Sequence, residues 1–281
     1  MSALEERLAG AAFEEVCPDG ICRRVIGLEH LALIAEESGA PINLLEQLCI
    51  QVEIIPSRYL RNLGTLGYDG QLNLLRSRVA VLGLGGLGGL VTELLARMGV
   101  GRLILADGDV FSEDNLNRQV LSSESNLRKR KAEVAEARVR ELNAGVDVLG
   151  VVQRLAAPEM AKLLAGVDVA IDALDSIQSR YDLQAACAEV GIPMVHGAIA
   201  GHVGQVMTIF PGDAGLDTIY GEARGRGLEA ATGNPATTPA LVAALEVQEA
   251  IKILTGRGEP LRHGFLFLDV EHNTYEFISV I

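Results

Sequence analysis

The chain is poor in cysteine, short of positive charge, and has no long unbroken apolar run. Four cysteines in 281 residues cannot make a disulfide scaffold, so a conventional core in a reduced, cytoplasmic setting is expected. Twenty-four Lys and Arg stand against 37 Asp and Glu, a formal net charge of −13. That balance disfavours nonspecific binding to nucleic acid or an anionic membrane, though it allows a local basic pocket. The most apolar stretch, "VAVLGLGGLGGLV", is short, rich in glycine and followed by Thr92 and Glu93, so it is not a membrane span. The opening "MSALEERLAG" carries acids where a secretory signal needs an apolar segment. No repeat of solenoid type is present.

What is present is size and pattern. A chain of this length at 49% hydrophobic can bury one large core, or one core plus an appendage. Residues 1–55 read as a helical N-terminal extension. "LEHLALIAEESGAPINLLEQLCIQV" has helical spacing on both sides of "SGAP", which breaks it into two short helices. Two such helices suit a helix-turn-helix, but the acidity of the segment favours a packed hairpin with no nucleic-acid role. Cys17 and Cys22 could join Cys49 at a metal; with no second pair at finger spacing, small buried or loop thiols are the plainer reading.

From residue 56 to 281 strands alternate with helices. "RVAVLG", "GRLILAD", "VDVLGVV", "VDVAIDALD" and "PMVHGAI" read as buried strands. Between them "GGLVTELLARMG", "RKAEVAEARVRELN", "APEMAKLLAG" and "SIQSRYDLQAACAEVG" read as helices. The expected fold is α/β: a Rossmann-like, mostly parallel sheet with helices on both faces. After "GQVMTIFPGD" comes a Gly/Ala/Pro-rich stretch, "AGLDTIYGEARGRGLEAATGNPATTP", of a length usual for a lid or binding segment. A helix, "ALVAALEVQEAIKILTG", follows. A C-terminal antiparallel hairpin, "GFLFLDVEHNTYEFISV", closes the chain.

Gly83, Gly85 and Gly88 form G-x-G-x-x-G between a strand and a helix. Small residues let the backbone approach a pyrophosphate, and the helix N-terminus offers it unpaired N–H groups. Asp107 ends the next strand at the distance expected of a ribose-binding acid. The nucleotide could be NAD or ATP. An Arg beside the ribose usually marks a 2′-phosphate; here Asp107, Asp109, Asn115, Arg118 and Gln119 instead look arranged around a polyphosphate. Arg118 can clamp phosphate in a bidentate way, and Lys131 is a compact second cation. Asp175, read as the end of "VDVAIDALD", should enter the crevice at the carboxyl ends of the strands and suit Mg²⁺ beside a triphosphate. These groups fit attack on the α-phosphate with pyrophosphate leaving, and no general base stands out. Blander roles compete at each position. Asp107 and Asp109 could cap turns, Arg118 could be a surface ion pair, Arg61 an ordinary surface residue, and Lys131 part of a solvated helix face. His196 and His202 read as satisfied structural histidines.

"RYLRNLGTLGYDGQ", "VLGLGGLGGLVTELLARMGVGRLILADGDVFSEDNLNRQ", "RKAEV", "DALDS" and "GQVMTIFPGD" occur in order over residues 57–281. Together they resemble the MoeB/ThiF/HesA family, bacterial relatives of the ubiquitin-activating enzymes. The resemblance implies adenylation, with ATP and Mg²⁺, of the C-terminal Gly-Gly carboxylate of a small ubiquitin-fold sulfur carrier of the MoaD or ThiS kind. It implies that Asp107 holds the ribose, that Asn115, Arg118 and Lys131 contact the triphosphate, and that Asp175 binds Mg²⁺. Gly86 and Gln119 join the nucleotide-binding set. It also implies a homodimer in which Arg61 reaches the neighbouring active site, and a crossover loop, the Gly/Pro-rich segment, under which the carrier's tail threads. Many relatives hold zinc through two CxxC pairs; nothing after residue 187 here is cysteine, so no zinc of that type is expected. Cys187 lies mid-helix and reads as core, and no cysteine stands in the crossover segment, so the chemistry is expected to stop at the acyl-adenylate. Two alternatives are a zinc-free tRNA-modifying dehydratase of the same superfamily and a nucleotide-responsive binding module; an NAD-dependent oxidoreductase is a third.

Overall fold

The computed structural model describes residues 2–17, 20–223, 225 and 232–280. Helix α1 (Ala3–Ala11) starts at Ser2, whose hydroxyl accepts from Glu5 N while the Glu5 carboxylate accepts from Ser2 N. Strands β1 (Phe13–Val16) and β2 (Cys22–Ile26) form an antiparallel hairpin, and β3 (Ile54–Pro56) adds to β2 in parallel. Between them run α2 (Leu28–Ser38) and α3 (Ile42–Gln51), separated at Gly39 in the left-handed conformation and at Pro41. The "SGAP" break therefore falls where the sequence puts it. The appendage is more than helices, because a three-stranded sheet accompanies them. Strands as short as "FEEV" and "CRRVI", with charges on both faces, carry no clean alternation to read. Leu8, Ile26, Leu31, Ile34, Leu45, Cys49 and Ile54 make a small core of its own.

The remainder is a three-layer α/β/α body. Helix α4 (Leu63–Arg76) leads to β4 (Arg78–Leu82), α5 (Gly86–Met98), β5 (Arg102–Ala106), α6 (Lys131–Leu142) and β6 (Asp147–Val151). Then come α7 (Ala157–Leu163), β7 (Val169–Asp172), α8 (Ile177–Val190), β8 (Met194–Ala200) and β9 (Val203–Ile209). A short α9 (Asp217–Tyr220), α10 (Thr237–Thr255) and the hairpin β10 (Gly264–Asp269) and β11 (Thr274–Ser279) complete it. The sheet order is β11-β10-β9-β8-β7-β4-β5-β6. Pairings from β6 across to β8 are parallel; those from β8 to β11 are antiparallel.

Alternation along β4 shows why both faces must be covered. Val79 and Val81 pack with α4, α5, α6 and α10, while Ala80 and Leu82 pack with α7 and α8. The strand order reverses between β5 and β7 on either side of β4, so a crevice opens at the carboxyl ends of those strands. Among the described residues, no helix is long and apolar enough to cross a membrane.

The appendage joins this body through buried polar groups. The Tyr59 hydroxyl donates to Glu46 of α3 at 3.1 Å and accepts from Asn143 Nδ2 at 3.0 Å. Asn143 Nδ2 also donates to Ala96 O at 2.9 Å, at the end of α5. Burial pushes the Glu46 carboxyl up to about 7, against the opposing pull of Arg58 and of the Tyr59 hydrogen bond.

Candidate functional site

At the crevice the chain leaves β4 through Gly83, whose φ of +90° is a conformation that L side chains rarely adopt. A side chain there would also run into Ala173 O, 2.3 Å from an ideal Cβ. At Gly88 an ideal Cβ would lie 1.8 Å from Gly83 O, so the first turn of α5 can pack on the strand end only without a side chain. Gly85 and Gly86 differ: nothing lies closer than 3.7 Å and 3.4 Å to an ideal Cβ. Their smallness leaves the loop open toward an open cleft of about 770 Å³, which both residues line. The N–H groups of a helix's first turn have no acceptor within the helix, so α5 begins as an anion seat.

Asp107, just beyond β5, is braced on both oxygens. Its Oδ2 accepts from Leu84 N at 2.7 Å and its Oδ1 from Asp109 N at 2.7 Å. The carboxylate thus ties the glycine loop to the strand end, and both oxygens keep a free lone pair for a ligand. Asp109 pairs with Arg154 at 2.7 Å, and Lys131 Nζ stands 3.9 Å from its other oxygen.

Lys131 is buried, with its ammonium 6.0 Å above the Phe111 ring, so the solvated-face reading of this residue fails. The register comes from backbone ties sequence patterning cannot see: Phe111 N to Lys129 O at 3.0 Å and Lys131 N to Asp109 O at 3.0 Å. They turn the first residue of α6 into the cleft.

Asn115 is buried in a one-turn 3₁₀ helix, where its Oδ1 accepts from Ser112 N. The Ser112 hydroxyl, bonded to Asp114, holds that carboxyl below its usual range. Arg118 Nη1 donates to Asp114 O and to Asn117 Oδ1, each at 2.8 Å, with its stem against Gly86. Gln119 is 6% exposed, and its Oε1 is buried with no hydrogen-bond partner. An orphaned acceptor in the wall of an open cleft is a group a ligand can satisfy.

Strand β7 stops at Asp172 rather than at Asp175. Asp175 stands three residues on, exposed, in the loop that enters α8; it still lines the same cleft as Arg118, Lys131, Asp107 and the glycine loop. Asp175, lining one cleft with Arg118, Lys131 and the glycine loop, fits a Mg²⁺ held mainly by phosphate oxygens. Arg61, exposed ahead of α4, is not among the residues lining the cleft.

Several lining residues escaped the sequence reading. Arg154 follows the carboxyl end of β6 and crosses the rim to Asp109. Arg180, 4% exposed, lies in the cleft wall from the first turns of α8. Leu155 and Met160 add an apolar side. Position supplies a usable signal for Arg154, since residues just past a parallel strand face the crevice. His196 is fully buried on Asp172 at 2.7 Å, and burial pushes its pKa down against the opposing pull of Asp172. Cys187 sits in the core, where burial pushes the thiol up to about 12 and removes it as a nucleophile. The expected crossover segment, 214–239, is described except at residues 224 and 226–231, which lie outside the described residues; of the rest, Asn234 reaches the cleft.

The ThiF family model matches residues 58–280. The SAMP-activating enzyme E1 of Haloferax volcanii is 38% identical over 226 residues, 79% of this chain and 84% of that protein. The sulfur carrier protein ThiS adenylyltransferase of Bacillus subtilis is 34% identical over 205 residues, 71% of this chain and 61% of that one. The crystal structure of Escherichia coli MccB with ATP superposes with a TM-score of 0.70 at 21% identity, covering 89% of this chain and 82% of that chain. At that identity the likeness concerns the fold alone.

Proposed function

This chain belongs to the ThiF family, whose named relatives are adenylyltransferases, and from that premise we propose that it adenylates the C-terminal Gly-Gly carboxylate of a ubiquitin-fold sulfur carrier of the MoaD or ThiS type. The product belongs to sulfur delivery in molybdopterin or thiamine biosynthesis. One observation carries the reading: the glycine loop, Asp107, Arg118, Lys131 and Asp175 line a single cleft.

The chemistry asks little of the protein beyond position and charge. A C-terminal carboxylate is ionised at neutral pH and needs no base. Its oxygen bonds to the α-phosphorus of ATP while the bond to the bridging oxygen breaks, and pyrophosphate leaves with the electron pair. Asp107 accepts from the ribose hydroxyls. The first turn of α5, Asn115, Arg118 and Lys131 meet the negative charge that develops on the leaving group. Asp175 would hold Mg²⁺, which supplies further neutralisation of the triphosphate. Gln119 Oε1 gains a donor from the bound nucleotide. Arg61 serves the site of a second copy in a homodimer, and residues 214–239 cover the carrier's tail. Residues 1–55 form a separate domain from 56–281. The net charge of −13 argues against nucleic acid as the acceptor.

Exchange of labelled pyrophosphate into ATP tests the reading. Exchange is expected only when a carrier ending in Gly-Gly is added. Exchange driven by tRNA alone, or NADH formation, overturns it.

A further inference from the structure

Asp172, the last residue of β7, is fully buried. Its Oδ1 accepts from Leu174 N at 3.1 Å and its Oδ2 faces His196 Nδ1 at 2.7 Å. On the far side of the ring, His196 Nε2 lies 3.2 Å from the Tyr220 hydroxyl. That hydroxyl accepts from Gln205 Nε2 at 2.7 Å and from Arg180 Nη1 at 2.8 Å. Gln205 Nε2 also lies 3.2 Å from His196 Nε2, so the imidazole is held at both ring nitrogens, by Asp172 at Nδ1 and by Tyr220 and Gln205 at Nε2. Arg180 completes the circuit: its Nε and Nη2 donate to Leu174 O at 3.2 and 2.9 Å.

We infer that His196 and Tyr220 are positioning residues of the adenylation site: with Asp172 and Arg180 they close a hydrogen-bonded ring that fixes the Asp175 loop relative to the root of the Gly/Ala/Pro-rich segment. Both polar groups of Leu174 are consumed by the ring, and the next residue is Asp175. Tyr220 ends α9, in the first part of that segment (214–239). Two further ties fasten the same root to α8: the Tyr181 hydroxyl donates to Gly221 O at 2.7 Å, and Ile177 N to Gly225 O at 3.1 Å. The ring joins the loop that carries Asp175 to the segment that covers the attacking tail. Seating the tail and holding Asp175 become one event. The inference rests on the adenylation reading for what Asp175 and the segment do.

Tyr220→Phe is the test, because it removes the hydroxyl while keeping the edge-on packing against His196, with ring centroids 5.7 Å apart. His196→Gln is a second, harsher variant. Hydrogen–deuterium exchange is read on the free protein, and pyrophosphate exchange with a Gly-Gly carrier of the ThiS or MoaD type. In Tyr220→Phe, amides at 173–176 and 221–223 should exchange about tenfold faster, while those of β4 and β5 keep the wild-type rate. The turnover of pyrophosphate exchange should fall about tenfold with KM for ATP unchanged. Unchanged protection at 173–176 overturns the ring, as does a variant with lower melting temperature but wild-type turnover. A wild-type protein that exchanges with no carrier overturns the adenylation reading alone, since the amide arm is read without carrier.

Discussion

Gly85 and Gly88 stand three residues apart at the start of α5, yet substitution should affect them in different ways. Alanine at Gly88 would place its Cβ against the backbone carbonyl of Gly83, which has nowhere to go. Gly88→Ala is expected to destabilise the protein by about 3 kcal/mol or more, read from denaturant midpoints. At Gly85 the nearest atom to an ideal Cβ, at 3.7 Å, is the end of the Gln119 side chain. Gly85→Ala should therefore keep the midpoint and weaken ATP binding, measured by calorimetry. The charged residues separate the same way. Arg118 is half-exposed and Asp175 exposed, and neither supports the core. Arg118→Ala and Asp175→Ala should each reduce pyrophosphate exchange by on the order of 10²–10³ and leave the melting temperature within a degree or so. Near-full activity in either variant would remove it from the site.

Among the elements, α3 holds the appendage to the body, and it does so with an acid out of water. Glu46 has a folded-state pKa of about 7 against an ordinary value of 4.5, with desolvation the largest cause. The folded state then binds the proton more tightly than the unfolded chain, so this group costs stability as pH rises from about 4.5 to 7 and adds no further slope above that. The shift corresponds to roughly 3 kcal/mol across the window. Wild-type urea midpoints should fall between pH 5 and pH 8, and Glu46→Gln should flatten most of that fall. Equal slopes in the two proteins would mean Glu46 is not the group responsible. Helix α6 shows a second feature of this scale: its amphipathic sequence was legible, but its rotation was not. Short backbone bonds from the 109–111 turn set that rotation and bring Lys131 inside.

At the scale of the whole molecule, Arg61 bears on whether one chain makes a complete site. It is exposed and away from the cleft of its own chain. If two copies share sites, Arg61→Ala and Asp175→Ala should each be inactive alone. Mixed and re-equilibrated, they should recover up to about a quarter of wild-type exchange, because mixed dimers carry one intact site. No recovery would place Arg61 outside the site. The appendage and the body are each built round a core of their own, and they meet through Ile50, Tyr59, Leu75 and the Glu46 network.

The alternating strands and helices, the glycine loop and the residues of "LADGDVFSEDNLNRQ" were readable without coordinates. Their information is local: period, turn chemistry and the spacing from a strand end to a helix start all lie within about 30 residues. The layer order of the main sheet follows from the same pattern, because strands apolar on both faces must be covered on both. Only the tertiary structure decides which side chains meet across long separations. Arg154 to Asp109, Tyr220 to His196, and Glu46 to Tyr59 and Asn143 join residues far apart in the chain. Such contacts leave no period in the sequence; the first is set by where two strand ends meet at the rim, and the others arise when packing carries buried polar groups to partners that can satisfy them.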